Sequence, residues 1–196
     1  MDNDNWLDVV SGGYGAPSGA VSFVSPGKMG GFAGFISGNA GTGSVQLINQ
    51  TLFQGAMAMS IAMWLQLDEF TDLAGLVTMA QGEANRWVFF NQALWRAGNY
   101  QKGLWFGPYE GNVNTIAQAV NVMETNQWHF VVGTWNGAGD GLAKLYVDGI
   151  LVAVALTPKN TAIVQGDYFR LAYDDFSSGR RSKGQFDELI FLNRSL

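Results

Sequence analysis

The sequence predicts an all-β fold in which antiparallel strands form a sandwich or a barrel. The strongest indication is Asp148-Gly149 between two alternating apolar runs, because a type I′ hairpin turn needs positive φ at both central positions. A second is that many of the 26 glycines separate short apolar runs, as tight turns do. A third is that only 14% of the residues are charged and no amphipathic helical stripe is found. Together these observations favour two-sided sheets.

Residues 1–19 are polar and Gly-rich and are predicted to form a leading arm, with Trp6 as an anchor, before one domain over residues 20–196. Roughly thirteen strands are predicted in that domain. They cover residues 20–24, 32–36, 44–48, 57–67, 76–80, 86–91, 93–97, 103–107, 127–135, 142–147, 150–155, 168–173 and 183–192. Residues 112–120 alternate only loosely. Residues 57–67 are apolar on both sides, which is typical of a strand buried between layers.

The hairpin turn also predicts a register for the two strands that flank it. Val147 is expected opposite Ile150, Tyr146 opposite Leu151, Leu145 opposite Val152 and Lys144 opposite Ala153. Side chains alternate between the faces of a strand, so one face is predicted to be apolar throughout. Its members are Ala143, Leu145, Val147, Ile150, Val152 and Val154.

Composition excludes several classes of function. The net charge of −5 and the isoelectric point near 4.7 argue against duplex nucleic acid as a partner. The one basic cluster, Arg180, Arg181 and Lys183, is interpreted as a solvated turn. Cysteine is absent, so disulfides, thiolate metal sites and a cysteine nucleophile are excluded. The acidic N-terminus does not look like a secretory signal, and no apolar run is long enough to span a membrane.

Several motifs together resemble a known superfamily. They are Trp128-His129-Phe130-Val131-Val132-Gly133-Thr134, then Leu145-Tyr146-Val147-Asp148-Gly149, then Phe186-Asp187-Glu188-Leu189 before Asn193-Arg194-Ser195-Leu196. Residues 27–32 and 60–65 add its first-strand and third-strand patterns. In this order, over about residues 20–196, the chain resembles the laminin G-like, concanavalin A-like lectin superfamily. The resemblance implies a two-sheet antiparallel jelly-roll sandwich with one concave sheet.

The resemblance also implies a structural calcium ion at the rim, with Asp187 at the position of one acidic ligand. The chain departs from the family pattern, because Ile36-Ser37-Gly38 and Gly43-Ser44 stand where relatives often have acidic residues. Calcium needs six to eight oxygen ligands, usually with several carboxylates. The alternative role for Asp187 is to accept hydrogen bonds from a loop amide or to pair with Arg194.

Enzymatic chemistry finds little support in the residues. His129 is the single histidine, so neither a two-histidine zinc site nor a triad on another histidine can form, and it is interpreted as a hydrogen-bonded strand residue. Asp187 and Glu188 are neighbours on a strand and are expected on opposite faces, which excludes a carboxylate pair across one glycosidic bond. Asp174 and Asp175, with Asp167 nearby, are interpreted as a solvated turn rather than a cation site. The protein is therefore predicted not to be an enzyme.

The residues predicted to bind a ligand lie in an aromatic-rich segment, residues 86–111. They are Trp95, Arg96, Tyr100, Trp105 and Tyr109, interleaved with amide side chains. Flat aromatic faces beside hydrogen-bonding groups suit sugar rings. Trp87 and Phe89 are predicted to belong to the core instead, and the sequence leaves open whether Trp95, Tyr100 and Tyr109 face the core or solvent.

Two functions are predicted from these observations. The first is a non-enzymatic surface recognition module, glycan-binding or adhesive, with a glycan or a surface protein as partner. The second is a structural assembly protein, such as a phage virion decoration or tail component, which binds other virion proteins. The absence of a signal, the start at Met1-Asp2 and the lack of cysteine favour this second reading. Both imply an extracellular or virion-surface location without membrane insertion. A glycosidase or lyase is not predicted, because the sequence contains no acidic residues with the spacing that such enzymes need.

Overall fold

The computed structural model describes residues 5–6, 13–37, 43–48, 51–80, 86–96, 99–109, 115–157, 162–163, 168–173 and 180–196. These residues form fourteen strands and no α-helix. The strands are β1 (Tyr14–Ser18), β2 (Val21–Val24), β3 (Ala33–Ile36), β4 (Ser44–Ile48), β5 (Ala58–Leu67), β6 (Ala74–Ala80), β7 (Arg86–Arg96), β8 (Asn99–Tyr109), β9 (Ala117–Val120), β10 (His129–Asn136), β11 (Leu142–Val147), β12 (Ile150–Leu156), β13 (Tyr168–Leu171) and β14 (Gly184–Leu192). No helix in this part of the chain has the length and apolar character needed to cross a membrane.

The strands form two seven-stranded antiparallel sheets, which confirms the predicted fold class. The first sheet has the order β1-β4-β13-β6-β7-β8-β9, and the second has the order β12-β11-β10-β5-β14-β3-β2. Half of the twelve neighbouring strand pairs are not consecutive in sequence. The two late strands β13 and β14 each lie inside a sheet, between strands formed by much earlier segments.

The core lies between the sheets and contains the large side chains that alternation directs inward. Trp87 and Phe89 belong to it, as predicted, and Trp87 packs against Trp135 with ring centroids 4.4 Å apart. The Trp135 indole donates a hydrogen bond of 2.8 Å to Thr157 Oγ1. A buried indole N–H usually has such a partner, and Thr157 supplies it for Trp135.

The segment predicted as a leading arm contributes to the sandwich. Within it, Tyr14–Ser18 forms β1 and pairs along its whole length with β4. The Trp6 ring packs on Phe23, with ring centroids 5.4 Å apart. The main-chain carbonyl of Trp6 accepts a hydrogen bond from the N–H of Gly15. The described part of residues 1–19 is therefore integral to the fold. The sequence reading missed β1 because glycine and proline within it mask the strand pattern.

Two β-bulges change the expected facing of side chains. In the central hairpin, Val147 lies opposite Ile150 and Tyr146 opposite Leu151, as predicted, but Leu145 lies opposite Ala153 because Val152 is an extra residue. Val154 therefore leaves the predicted apolar face and is exposed. In β14, the register with β5 shifts between Asp187 and Ile190, and Glu188 has a φ of 46°. Simple alternation does not hold at either place.

The basic cluster differs from the predicted solvated turn. The Arg181 guanidinium lies 3.8 Å from the centre of the Tyr173 ring and donates a hydrogen bond to the carbonyl of Gly43. Lys183 forms an ion pair with Asp68 at 3.4 Å. These contacts fix two of the three basic side chains on the body of the sandwich. Asp167, Asp174 and Asp175 lie outside the described residues.

Candidate functional site

Strands β7 and β8 form one long hairpin that extends past its neighbours. Residues predicted as two strands, 86–91 and 93–97, are the single strand β7. Pairing of β7 with β6 ends at Asn91, and pairing of β8 with β9 begins at Gly103. Residues 92–96 and 99–102 therefore form a two-stranded ribbon that pairs with no third strand among the described residues. Five residues extend it by about 17 Å.

The five residues predicted to bind a ligand do not come together. Trp95 lies opposite Tyr100, and Arg96 lies opposite Asn99, near the end of this ribbon. Tyr109 lies opposite Arg86, at the other end of β8 and about 30 Å from Tyr100 at the usual rise of a strand. The side chains of Trp95, Arg96, Tyr100 and Tyr109 lie outside the part of the chain that the structure describes.

Trp105 occupies a different environment from the ribbon. Its side chain is only 3% exposed and belongs to a small cluster with Val88, Phe90 and Ile116, separate from the main core. Alternation places this cluster on the outer face of the first sheet, because Phe89 and Phe106 between its members point inward. A sugar could stack on Trp105 only if this cluster opened. Its predicted binding role is therefore disfavoured by burial.

A second candidate surface is a trough on the outer face of the second sheet. Phe130, Val132 and Thr134 occupy alternate positions of β10 and form its floor with Tyr146 of β11. Gly149 and Leu196 close its two ends, and the cavity measures about 320 Å³. This volume lies near the lower end of the range for small-molecule sites.

Aromatic rings continue the floor of the trough across the sheet. Phe130 packs against Trp64 of β5, with ring centroids 5.3 Å apart. Lys28 lies over the Trp64 ring at 4.6 Å and caps this end of the aromatic row. Because three neighbouring strands contribute one aromatic residue each, the outer face presents flat apolar surfaces flanked by a cation.

The C-terminal residues form the wall of the trough through one buried hydroxyl. Ser60, which is almost fully buried, donates a hydrogen bond of 2.8 Å to the carbonyl of Arg194. The same hydroxyl accepts a hydrogen bond of 3.1 Å from the N–H of Leu196. These two bonds hold residues 193–196 against β5, which places the Leu196 side chain at the trough.

One hydroxyl group of the trough lining, that of Tyr146, is open to a ligand, whereas that of Thr134 is covered. Thr134 Oγ1 is buried and has no hydrogen-bond partner among the described residues. The Tyr146 hydroxyl makes no hydrogen bond within the same part of the chain. A buried hydroxyl without a partner is uncommon because its desolvation is uncompensated.

The turn at the end of the trough is fixed by Asp148 and His129. Asp148 and Gly149 both have positive φ, as predicted for this hairpin. The Asp148 carboxylate also accepts hydrogen bonds from Phe130 N–H at 2.9 Å and from His129 Nδ1 at 2.8 Å. Because His129 Nε2 accepts from Glu124 N–H, the ring proton lies on Nδ1. Burial tends to raise the pKa of Asp148, but the hydrogen bonds from His129 and Phe130 outweigh it and hold the pKa below 3.8.

Asp187 does not have the surroundings of a calcium ligand. Its buried carboxylate accepts hydrogen bonds from Met29 N–H and Glu188 N–H, both at 2.9 Å. The described residues contain no group of three or more acidic, histidine or cysteine side chains that could hold a metal. N–H donors on both oxygens orient positive charge toward the carboxylate, where a cation would otherwise lie. The residues present thus fit the predicted contact with a loop amide, and calcium at Asp187 stays a prediction that this geometry does not support.

The trough was missed by sequence reasoning because its residues are spread along the chain. The alternation of side chains along the strands was the signal that could have revealed it. In the central hairpin, alternation places Tyr146 on the face opposite the core, and in β10 it places Phe130 and Thr134 on that same face. The contribution of Leu196 depends on the Ser60 contact, which no local pattern reveals.

Comparison with known proteins supports the fold. A family model described as the concanavalin A-like lectin/glucanases superfamily matches residues 39–196. No match was found among curated proteins. Domain 4 of AbnA, an extracellular arabinanase from Geobacillus stearothermophilus solved with arabinotriose, is 17% identical with a TM-score of 0.73, over 100% of this chain and 90% of that one.

Two further solved structures share the architecture. A heptameric SAP-like pentraxin from Limulus polyphemus is 15% identical with a TM-score of 0.60, over 92% of this chain and 77% of its own. A botulinum neurotoxin type C structure, described by the dependence of cell entry on two ganglioside molecules, is 16% identical with a TM-score of 0.62. The match covers 100% of this chain but only 48% of the toxin chain. At such identities the likeness shows the fold, whereas the family model covers most of the sequence. The chain belongs to the concanavalin A-like lectin/glucanases superfamily.

Proposed function

We propose that this protein is a non-enzymatic recognition module that binds a glycan in the trough on the outer face of its second sheet. The observation that carries the proposal is the combination of the Phe130 and Tyr146 rings with the Tyr146 hydroxyl in one cavity. Sugar rings have apolar C–H faces that stack on aromatic rings, and their hydroxyls need hydrogen-bond partners. Solved relatives support this class of ligand, since one contains arabinotriose and another is described with gangliosides.

The ribbon that carries Trp95, Arg96 and Tyr100 is a second place where the same function could reside. An extended hairpin with two opposed aromatic residues could contact a sugar outside the body of the sandwich. The experiment below therefore compares the two surfaces directly. Tyr14, an exposed tyrosine of the first sheet, offers a matched control for the loss of one aromatic side chain.

The test is a glycan-array screen of the purified chain, followed by titration of any glycan that binds. We expect Tyr146→Ala to weaken binding by roughly tenfold or more, and Tyr146→Phe to weaken it less, because the phenylalanine keeps the ring. Tyr14→Ala should bind as the wild type does. Loss of binding in Trp95→Ala but not in Tyr146→Ala would move the site to the ribbon, and absence of any saturable binding would refute the module. Release of new reducing ends from a bound glycan would refute its non-enzymatic character.

The alternative function, a structural assembly protein such as a virion decoration or tail component, is favoured by one separate observation. Strand β12 exposes several large apolar side chains to solvent. Such a surface suits a permanent protein neighbour. Co-sedimentation of the chain with a larger particle, in the absence of any glycan binding, would support this function over the first. A module of either kind acts outside the cell or on a particle surface.

A further inference from the structure

Strand β12 is an edge of the second sheet, and the bulge at Val152 is the single usual protection of an edge that it carries. No strand pairs with its free side among the described residues. Four of its side chains are exposed: Ile150 at 67%, Leu151 at 48%, Val154 at 47% and Leu156 at 69%. Natural edges are usually short or carry charges or proline, because an open edge recruits another strand. The strand has neither charge nor proline.

The other three edges of the sandwich are better protected. Strands β2 and β9 have four residues each, and Trp6 packs on Phe23 of β2. Strand β1 contains Pro17, which cannot donate a ladder hydrogen bond. The seven-residue β12 is therefore the longest edge and the most apolar one. Its one irregularity is the bulge at Val152.

We propose that β12 is a dimerisation surface on which a second copy of this chain adds its own β12 in antiparallel orientation. Such a pair is two-fold symmetric, so one surface serves both copies. Leu151 and Val154 share the outer face, because they lie opposite Tyr146 and Lys144 of β11. A register with Leu151 opposite Val154 of the second copy joins two side chains of nearly equal exposure. It also places Ile150 opposite Ala155, and both of these lie on the core side.

The lack of charge on β12 removes the repulsion that would otherwise oppose a second copy of this acidic chain. The chain carries a net charge of −5, so contact between two copies through an acidic surface would be repulsive. Residues 150–157 carry no charge, and the nearby Lys144 is neutralised by Asp140 at 2.9 Å. A partner recognised by charge would find no complement on this strand.

The available area predicts a weak, reversible dimer. A stable interface buries about 800 Å² on each partner, and one seven-residue strand with four half-exposed side chains offers less. We expect a dissociation constant on the order of 100 µM. The two-fold axis of an antiparallel pair is perpendicular to the sheet, so both troughs would open on the same side. If the proposed glycan function holds, the dimer binds a surface through two sites.

The first test is sedimentation equilibrium of the full chain from about 5 µM to about 500 µM, without any glycan. The mean mass should rise from 21.2 kDa toward twice that value. The double variant Leu151→Lys, Val154→Lys should stay monomeric, because the register puts lysines opposite lysines. The control is Ile190→Lys, an exposed apolar residue on the same face but on the interior strand β14. The proposal is overturned if the wild type is monomeric at every concentration. It is also overturned if Ile190→Lys is monomeric while the double variant still dimerises.

The second test uses the absence of native cysteine. In the double variant Leu151→Cys, Val154→Cys, the two thiols of one copy lie opposite residues two apart on β11, so they are about 7 Å apart on parallel side chains and do not readily bond to each other. Mild oxidation should therefore give a covalent dimer on non-reducing gels, and each single variant should give much less of it. Failure of the double variant to cross-link overturns the proposed register. Because neither test involves a sugar, its outcome is independent of the glycan proposal.

Discussion

Asp187 Oδ2 accepts a hydrogen bond of 2.9 Å from the main-chain N–H of Met29, which lies 158 positions earlier in the chain. The contact ties the loop after β2 to the interior strand β14 and holds Lys28 near the aromatic row of the trough. A side chain at Gly27 would collide with the same carboxylate, since its Cβ would lie 2.8 Å from Oδ2. The loop can therefore approach Asp187 closely only with glycine at this position.

Replacement of Asp187 tests whether it holds a loop or a metal. We expect Asp187→Ala to lower the free energy of unfolding by about 1–3 kcal/mol, because two partly buried N–H donors lose their acceptor. Chemical denaturation measures this change. We also expect added calcium or a chelator to leave the melting temperature of the wild type unchanged. A rise in melting temperature with calcium that disappears in Asp187→Asn would instead support the metal site.

Replacement of Thr157 tests the buried hydrogen bond of Trp135. The Thr157 hydroxyl accepts from the indole N–H and donates to the carbonyl of Gly141, both at 2.8 Å. Thr157→Val keeps the shape but leaves the indole N–H without an acceptor, while the Gly141 carbonyl keeps its bond from the main-chain N–H of residue 157, so we expect a loss of about 1–3 kcal/mol in unfolding free energy. Thr157→Ser is the control and should cost less, since it keeps the hydroxyl. A loss in Thr157→Ser without a loss in Thr157→Val would show that the methyl group, not the hydrogen bond, matters.

The pH dependence of stability tests the charge on Asp148. Its pKa in the folded state is held below 3.8 by His129 and the Phe130 N–H, so the carboxylate stabilises the fold above the unfolded pKa. This stabilisation is lost as the pH falls through the lower, folded pKa. Since Asp148 is about half exposed (47%), its contribution is below about 1 kcal/mol.

The variant for this test is Asp148→Asn, because asparagine tolerates positive φ and preserves the turn. We expect the wild type to lose more unfolding free energy than the variant when the pH falls from about 5 to about 3. Urea denaturation at each pH measures the difference. Parallel pH profiles for the two proteins would contradict a stabilising charge at Asp148.

Replacement of Gly133 tests how closely the two sheets approach. A Cβ at this position of β10 would lie 2.2 Å from the ring of Phe106, on the opposite sheet. We expect Gly133→Ala to cost about 1–3 kcal/mol through overpacking of the core. A second variant, Phe106→Leu, makes room for the added methyl group. The free energy of unfolding of the double variant should therefore fall by less than the sum of the losses in the two single variants. Strict additivity would mean that the sheets move apart rather than collide.

The sequence revealed those parts of the fold that depend on local chemistry. The hairpin at Asp148-Gly149 was predictable because its turn demands positive φ. Strands β4 and β11 have the bounds that were predicted, because glycines, polar residues or turns flank both strands. The bulge at Val152 was not predictable. It depends on how the edge strand twists so that Ala153 and Ala155 meet the core, which is a tertiary effect.

The candidate site was harder to predict because it is assembled from distant segments. The density of aromatic residues pointed to residues 86–111. Density alone does not tell whether a ring faces the core between the sheets or the outer face of its sheet. Trp105 is buried because Phe90, Val88 and Ile116 pack around it, and this depends on the partner strands. Phe130, Tyr146 and Leu196 meet only after three separate segments fold. Their proximity is a property of the topology.

The interior positions of β13 and β14 determine when this protein can fold during synthesis. Each sheet is completed by a strand from the last thirty residues, inserted between segments made long before. A nascent chain that has emerged only as far as residue 160 would have two open gaps, one per sheet, each lined by strands without a neighbour. Non-local pairing of this kind is slow, and unpaired edges associate with one another. The sandwich therefore closes late in synthesis, after β13 and β14 have both left the ribosome.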